Sequence, residues 1–516
     1  MKNHNTVSRW IVIGLVVVLF PLVFGMMGPG QTHASKLKIG AALVPPQIDP
    51  HSDTAVIPTI SFHNIFDALT EFDAQGRLLP ALATSWKLVG TKTWEFKLRK
   101  GVQFHNGDAF TAKDVKFTFE RAMDRNNPRT IAVAPRIATI NKVEIVDNYK
   151  VRFHTKDPDP ILDRKTSIVK ILPAGYFQSG GERNFGSKPV GTGPYKVEEF
   201  EPGARVSMVA VDNSWHGKAP IDMVELVAIP EASVRALALK SGDINMAVQV
   251  NPDQVEGLRS AGFSILSGHL ARVESVGINT WEGNKEYAIL RDKRIRQALN
   301  YAVDKQAIVE TIMQGTTEVA NGQLVTAQAF GYNPDLEPYP YNPARAKALL
   351  AEAGYPNGFD IRMQTSQGAC QSDRQIAEVV VAYLNDVGIK ATLEVLEYSV
   401  FRELFYPAGK RAPLFYECWS VFPYMDADGM LFLFDSDHPG KRYMNPAFDV
   451  LYRASRREMD QKVREKLLQT VFSVMHYDPS SIWLVAEPEI FALKSNVKGF
   501  EPRSDAVIRI KDMYIE

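Results

Sequence analysis

Few residues in this chain stand at spacings that do chemistry. No Gly-rich loop ends in Lys-Ser/Thr to cradle a phosphate, no Gly-x-Ser-x-Gly presents a nucleophile, and no His-Glu-x-x-His sets two zinc ligands on one helix face. Ser167-Ile168-Val169-Lys170 has the Ser-x-x-Lys spacing in which a lysine activates a hydroxyl. The Ser-Asp-Asn and Lys-Thr-Gly elements that complete such sites are missing. The ten histidines are scattered. His105 sits beside a turn and reads as a solvated hairpin residue. His51 lies close to Asp49 and Asp53, but a metal site needs a more distant third ligand. The pattern names no catalytic residue, no metal site and no cofactor.

What the chain offers instead is rings in Pro/Gly-interrupted segments: Trp281, Tyr332, Tyr339, Tyr341, Trp419, Phe422 and Tyr424. Stiff rings around a concave site bury a ligand with little entropy lost. Taken singly, each ring is more simply packing. The run from Trp419 through Phe422, Tyr424 and Asp426 to Gly429 is different, because it follows a strand and then loses all periodicity. Strand-end loops of this kind are where ligands bind in α/β folds. Cys370 and Cys418 are the two cysteines; they form a candidate disulfide or remain two thiols.

Elements must position these groups, and the patterning supplies them. Leu37, Ile39 and Ala41 alternate in a short strand before a breaker-rich stretch. Trp94, Phe96 and Leu98 alternate in a strand buried on one side. Asn106-Gly107 predicts a hairpin turn with both central residues at positive φ. Thr111 and Asp114 form a capping box with Asp where Glu is usual, ahead of Val115, Phe119, Ala122 and Met123 at helical spacing. Val143/Ile145 and Val151/Phe153 flank Asp147-Asn148 in a second hairpin. Asp292 caps a helix through Ile295, Ala298, Leu299 and Ala302. Asn342-Pro343 opens another and Gly354 closes it. Ile376, Val380, Leu384 and Val387 repeat until Gly388, and Val463, Leu467, Val471 and Met475 predict a long helix with that stripe inward. Strand-like runs at 360–365, 390–396, 414–419 and 482–485 alternate with these helices, so an α/β fold follows.

The chain has 516 residues, 45% hydrophobic and 23% charged, which is globular composition. At roughly 150 residues per domain it holds about three domains. Lys+Arg and Asp+Glu number 59 each, so the basic excess of a nucleic-acid binder is missing. Residues 1–34 form a separate object. Lys2 and Arg9 precede an apolar run at 11–24, and Thr32-His33-Ala34 sets small residues at −3 and −1 of a cleavage site. This reads as a secretory signal. The run is short of the about 20 residues that span a bilayer, and the first cysteine, Cys370, is too distant to take a lipid.

Three ordered stretches carry a resemblance: Leu79-Pro80-Ala81-Leu82-Ala83-Thr84-Ser85-Trp86, Trp94 through Gly107, and Phe110-Thr111-Ala112-Lys113-Asp114-Val115. Ile48-Asp49-Pro50, Val190-Gly191-Thr192-Gly193-Pro194-Tyr195, Ser241-Gly242-Asp243-Ile244, residues 292–299 and residues 346–355 extend it over nearly all of the chain after residue 34. Together they resemble the family 5 extracellular solute-binding proteins, the peptide/opine/nickel-type receptors of ABC importers.

The resemblance implies an α/β, bilobed periplasmic-binding-protein fold of type II in its three-domain variant, with an interlobe ligand cleft. Residues 35–68, 190–276 and 490–516 would form lobe one, 69–189 an inserted domain, and 277–489 lobe two, with the crossing at Gly277. Gln47, Trp281, Trp419, Phe422, Tyr424 and Asp426 would face the cleft. Peptide-binding relatives carry an Asp a few residues after the strand-end Trp, where it pairs with the peptide's α-amino group. Phe422 takes that position here, and Asp426 and Asp428 match the next Asp-Pro-Asp element with Ala427 for Pro. Simple peptides with free N-termini are therefore expected to bind weakly. The implied partners are a small-molecule or peptide-like solute and ABC permease subunits, with peripheral membrane contact only through that complex. A periplasmic monomer is implied, with neither nucleic acid nor catalysis. The alternatives are a secreted hydrolase, for which no nucleophile–base pair is found, and a receptor presenting ligand to a chemotaxis or sensor protein.

Overall fold

A computed structural model describes residues 34–52, 59–130, 132–179, 184–404, 408–421 and 423–516. The leader-like stretch up to residue 33 and Phe422 lie outside the described residues. Six strands position the site: β1 (Lys36–Ala41), β2 (Met223–Ala228), β3 (Met246–Ala247), β4 (Ser264–Ile278), β5 (Leu414–Ser420) and β6 (Ser481–Leu493). They belong to a ten-stranded mixed sheet in the order 390–395, 360–365, β5, β4, β6, β3, β1, β2, 205–210, 195–201. β1 runs parallel to both neighbours. Parallel strands of this kind are covered on both faces, and Leu37, Ile39 and Ala41 are fully buried.

β4 and β6 run antiparallel across the middle of the sheet. Ser264 stands opposite Leu493 at one end and Gly277 opposite Ser481 at the other. β6 then pairs with β3 through Met246 and Leu493, so residues 490–493 share a sheet with β1. The register of β4 shifts between His269 and Val273. A bulge bends a strand and increases its twist, and beyond this one β4, still paired with β6, also pairs with β5. Gly277, the expected crossing, sits at the far end of β4, where a Cβ would meet the Phe415 ring at 2.3 Å.

One core gathers Leu37, Ile39, Phe62 and Phe66 with Phe491 and Leu493. Leu172, Phe177 and Phe185 join it, ahead of the expected re-entry at Val190, because Phe177 packs on Phe185 with ring centroids 4.7 Å apart. A second core fills the antiparallel sheet of Ala83–Gly90, Thr93–Leu98, Lys150–Thr155 and Ile140–Asp147, covered by the helix Ala112–Met123. That helix starts on the expected capping box: the Thr111 hydroxyl accepts from the Lys113 amide, and Asp114 accepts from the Thr111 amide at 2.8 Å. The Asn106-Gly107 turn differs from expectation. Gly107 alone of the two has positive φ, 91°, and the Gly107 and Phe104 amides bond to the Phe104 and Asp108 carbonyls. This is a looser turn than the two-residue form.

The later helices follow their caps. Asp292 accepts from the Arg294 amide, Asn342 accepts from the Arg345 amide, and Gly388 is left-handed at φ 96°. In the helix Gln461–Tyr477 the inward stripe is Arg464, Leu468, Val471, Phe472 and Met475, whereas Val463 is 47% exposed. The first turn is rotated because Arg464 has a buried partner.

Candidate functional site

That partner lies in the loop after β5. Asp426 is fully buried, and its two oxygens each accept from Arg464 at 2.7 Å. Arg164 stands 3.7 Å away and also donates to the Tyr424 and Met425 carbonyls. Tyr424 packs in the core of the four-stranded sheet, its hydroxyl donating to the Arg136 carbonyl at 3.3 Å. Two of the expected cleft residues therefore have partners within the protein. Tyr424 and Asp426 tie the loop to its surroundings, because a buried carboxylate requires a charge partner and a buried phenol a hydrogen-bond acceptor. Burial raises the Asp426 carboxyl, but Arg464 and Arg164 outweigh it and hold it below its ordinary value.

Trp419, at the end of β5, is half-buried, and its indole N–H donates to Glu417 at 2.8 Å. Glu417 also takes Arg442 at 2.8 Å. Trp281 lies against Gly283 and Gly409, where a Cβ would come within 2.1 and 2.7 Å of the ring. Gln47 lies against Gly186. Cys418 is bonded to Cys370. Beside that disulfide, Arg272 pairs with Glu487 at 2.8 Å. They line a small pocket with Gln249, Gln371 and Glu489, whose carboxyl burial pushes up to about 8.

A larger cavity, about 920 Å³ with its open mouth, lies where the helix Thr59–Ile65, residues 71–72, residues 167–170, residues 503–511 and Pro423 meet. Four cations line it, Lys170, Arg503, Arg509 and Lys511, with three carboxylates, Asp67, Glu71 and Asp505. Every carboxylate is taken. Asp67 accepts from Thr192 and Trp215, both at 2.8 Å, and pairs with His216 at 2.9 Å. Burial raises Asp67, yet these bonds outweigh it and keep its carboxyl below the usual range. Glu71 pairs with Arg509 at 2.8 Å, and Asp505 takes both Nε and Nη2 of Arg503. Lys511 pairs with Asp512 at 3.0 Å.

Lys170 is what remains. The residue is 9% exposed, and its ammonium makes no hydrogen bond or ion pair among the described residues. Burial pulls its pKa down to about 8, against the pull of Asp67 and Glu71. His63 lines the same cavity and is kept well below its ordinary pKa by burial and by Lys170, Arg503 and Arg509, so its ring is neutral at pH 7. The backbone of Lys170 is fixed from behind. Arg121 donates to Asp49 at 2.6 Å and to His51 Nδ1 at 2.9 Å, which leaves His51 Nε2–H to donate to the Lys170 carbonyl at 2.9 Å. Burial, then Arg121, lowers His51 to about 4, so it is a neutral strut. The Ser-x-x-Lys match makes no nucleophile, since the Ser167 hydroxyl donates to the Arg164 carbonyl. His105 is no solvated turn residue. Its ring bonds the Gly191 amide and the Gly193 carbonyl at 3.2 and 3.0 Å, and pins the turn to that segment. His63, Arg503 and Arg509 carry no motif; the one available signal was the density of charge near the C-terminus.

A family model described as "Bacterial extracellular solute-binding proteins, family 5 Middle" matches residues 77–441, more than half of the chain. The chain belongs to this family. A family 5 protein is a solute-binding protein, and its relatives agree. It is 28% identical to "Heme-binding protein A" of Haemophilus influenzae, over 85% of either chain. It is 27% identical to the "Dipeptide-binding protein" of Escherichia coli, over 84% of this chain and 86% of that one. Among solved structures it is similar to the periplasmic binding protein DppA of Helicobacter pylori in complex with the peptide STSA. There the identity is 27% and the TM-score 0.75, over 94% of this chain and 99% of that one. The fold is thus the type II fold of periplasmic binding proteins.

Proposed function

We propose that this protein captures one small solute in the cavity around Lys170 and hands it to the permease subunits of an ABC importer. The observation that carries the reading is the cavity, lined from stretches far apart in the chain, including the loop after β5 at Pro423. A site shared by segments that far apart responds to movement of any of them. Closure removes the solute from water and strengthens each polar contact, and the solute favours the closed state by its differential affinity. The protein works in the periplasm as a monomer, exported by the leader-like residues 1–34, and no catalytic step enters. Three domains are read as in the sequence, with the lobes exchanged at Gly277. The loop after β5 offers no ammonium anchor, since Phe422 stands where peptide-binding relatives carry Asp and Asp426 is held by Arg464. This favours a blocked, modified or non-peptide solute over a simple dipeptide.

Native mass spectrometry of the gently purified protein tests the reading. A small molecule of fixed mass should accompany the wild-type chain. Val507 lines the cavity and is half-buried, so Val507→Trp should fill the space and expel that molecule while the unfolding temperature holds. Retention of the molecule by Val507→Trp would refute the site.

A further inference from the structure

A lysine that is nine-tenths buried, with an ammonium that opens on a cavity and has no partner among the described residues, is costly unless something answers it. Around this cavity the three carboxylates are already engaged by Arg503, Arg509 and the His216–Trp215–Thr192 group. Reaching Lys170 would cost any of them those bonds. The neighbouring Arg509 offsets part of the pull of Asp67 and Glu71 on Lys170, and the neutral His63 ring lines the same cavity without a competing charge. The lysine is also held in place, through the Asp49–Arg121–His51 chain behind its carbonyl. A cation on a largely buried side chain whose backbone is fixed fits a carboxylate or phosphate oxygen, the acceptors that form the strongest hydrogen bonds with ammonium donors.

We propose that the solute carries an anionic group, a carboxylate or a phosphate, and that Lys170 is the residue that binds it, with His63 as a second donor. The inference rests on the cavity being the solute site. It adds the solute's chemical class: a net anion or an acid-bearing molecule, in place of a zwitterion anchored by its ammonium.

Calorimetry on the solute-free full chain at pH 7 tests it with three probes: inorganic phosphate, succinate and citrate. At least one should bind with one-to-one stoichiometry. Lys170→Gln should weaken that binding about thirtyfold or more, the loss expected when one partner of a buried charge pair is removed. Lys170→Arg should keep it. Phosphate binding without the acids marks a phosphorylated solute, and the reverse marks an organic acid. Raising the pH from 7 to 9.5 should weaken binding to the wild type as Lys170 loses its proton, and leave Lys170→Arg unaffected. If none of the three probes binds, or if Lys170→Gln binds as the wild type does, the inference is overturned. The Val507→Trp variant keeps the two readings apart. If it expels the co-purified solute while Lys170→Gln leaves anion binding intact, the cavity stands and the anion inference fails. If it keeps both, the cavity reading fails first.

Discussion

Asp426→Asn separates a structural carboxylate from a ligand anchor. Asp426 and Arg464 are both fully buried and share two bonds of 2.7 Å. The amide can accept from one guanidinium N–H but turns its own N–H₂ toward the other, and the Arg464 charge is left in an apolar setting beside Leu468 and Phe472. Breaking one partner of a buried pair costs about 3–5 kcal/mol, because the survivor is a desolvated, unanswered charge. Arg164, 3.7 Å away, cannot relieve it, being of the same sign as Arg464. The sign with pH follows. Asp426 titrates below its ordinary 3.8 in the fold, so its stabilisation is complete above that value and fades as pH falls through the folded one. At pH 7 the whole effect is present. Urea unfolding followed by tryptophan fluorescence should therefore show Asp426→Asn and Arg464→Met each less stable by about 3–5 kcal/mol. The double replacement Asp426→Leu with Arg464→Met should recover most of that loss, since a buried pair exchanged for apolar residues is often neutral. Solute affinity, measured where both forms are folded, should stay unchanged. A loss of stability under about 1 kcal/mol, at the level of an exposed pair, would refute the burial argument. Unchanged stability with lost solute binding would return Asp426 to the ligand.

Two further expectations follow from the same geometry. The Cys370–Cys418 bond closes a loop of 48 residues, worth about 4 kcal/mol in the chain-entropy relation; Cys370→Ser with Cys418→Ser should unfold at correspondingly lower urea, and an unchanged midpoint would show the loop already ordered without the bond. His51 is neutral in the fold with its pKa lowered to about 4, so between pH 6.5 and 4 the unfolded chain takes up a proton that the folded chain refuses. Wild-type stability should thus fall on acidification through that window, relative to His51→Gln, by about 3 kcal/mol; parallel pH profiles for the two proteins would show that His51 is charged in the fold.

The elements that reasoning from residue types placed well are those decided within a few positions. Thr111 and Asp114 cap their helix because donor and acceptor lie three residues apart, and Gly388 ends its helix by a conformation of its own. The loop after β5 was likewise legible as a loop, since it lost periodicity. Its chemistry was not. Hydropathy points Val463 inward and Arg464 outward, and the structure reverses them, because the partner that makes Arg464 tolerable inside is Asp426, 38 residues away. Tyr424 reads as a free ring after a strand, but its core belongs to the sheet between residues 83 and 155.

The same reason explains why Lys170 was seen only as half of a failed Ser-x-x-Lys motif. Its interest lies in having no partner among the described residues, and that depends on Asp67, Glu71 and Asp505 being answered elsewhere. Those three answers come from Thr192, Trp215 and His216, from Arg509 and from Arg503, all but the last far from the carboxylate in the chain. A motif search looks for groups that act together at short spacing. A binding site in a closing cleft is instead what remains once the structural pairs are made. By that criterion the loop after β5 and the Lys170 cavity divide cleanly. Asp426 has both oxygens matched by Arg464, whereas the ammonium of Lys170, matched by nothing among the described residues, is the group we propose to meet the solute.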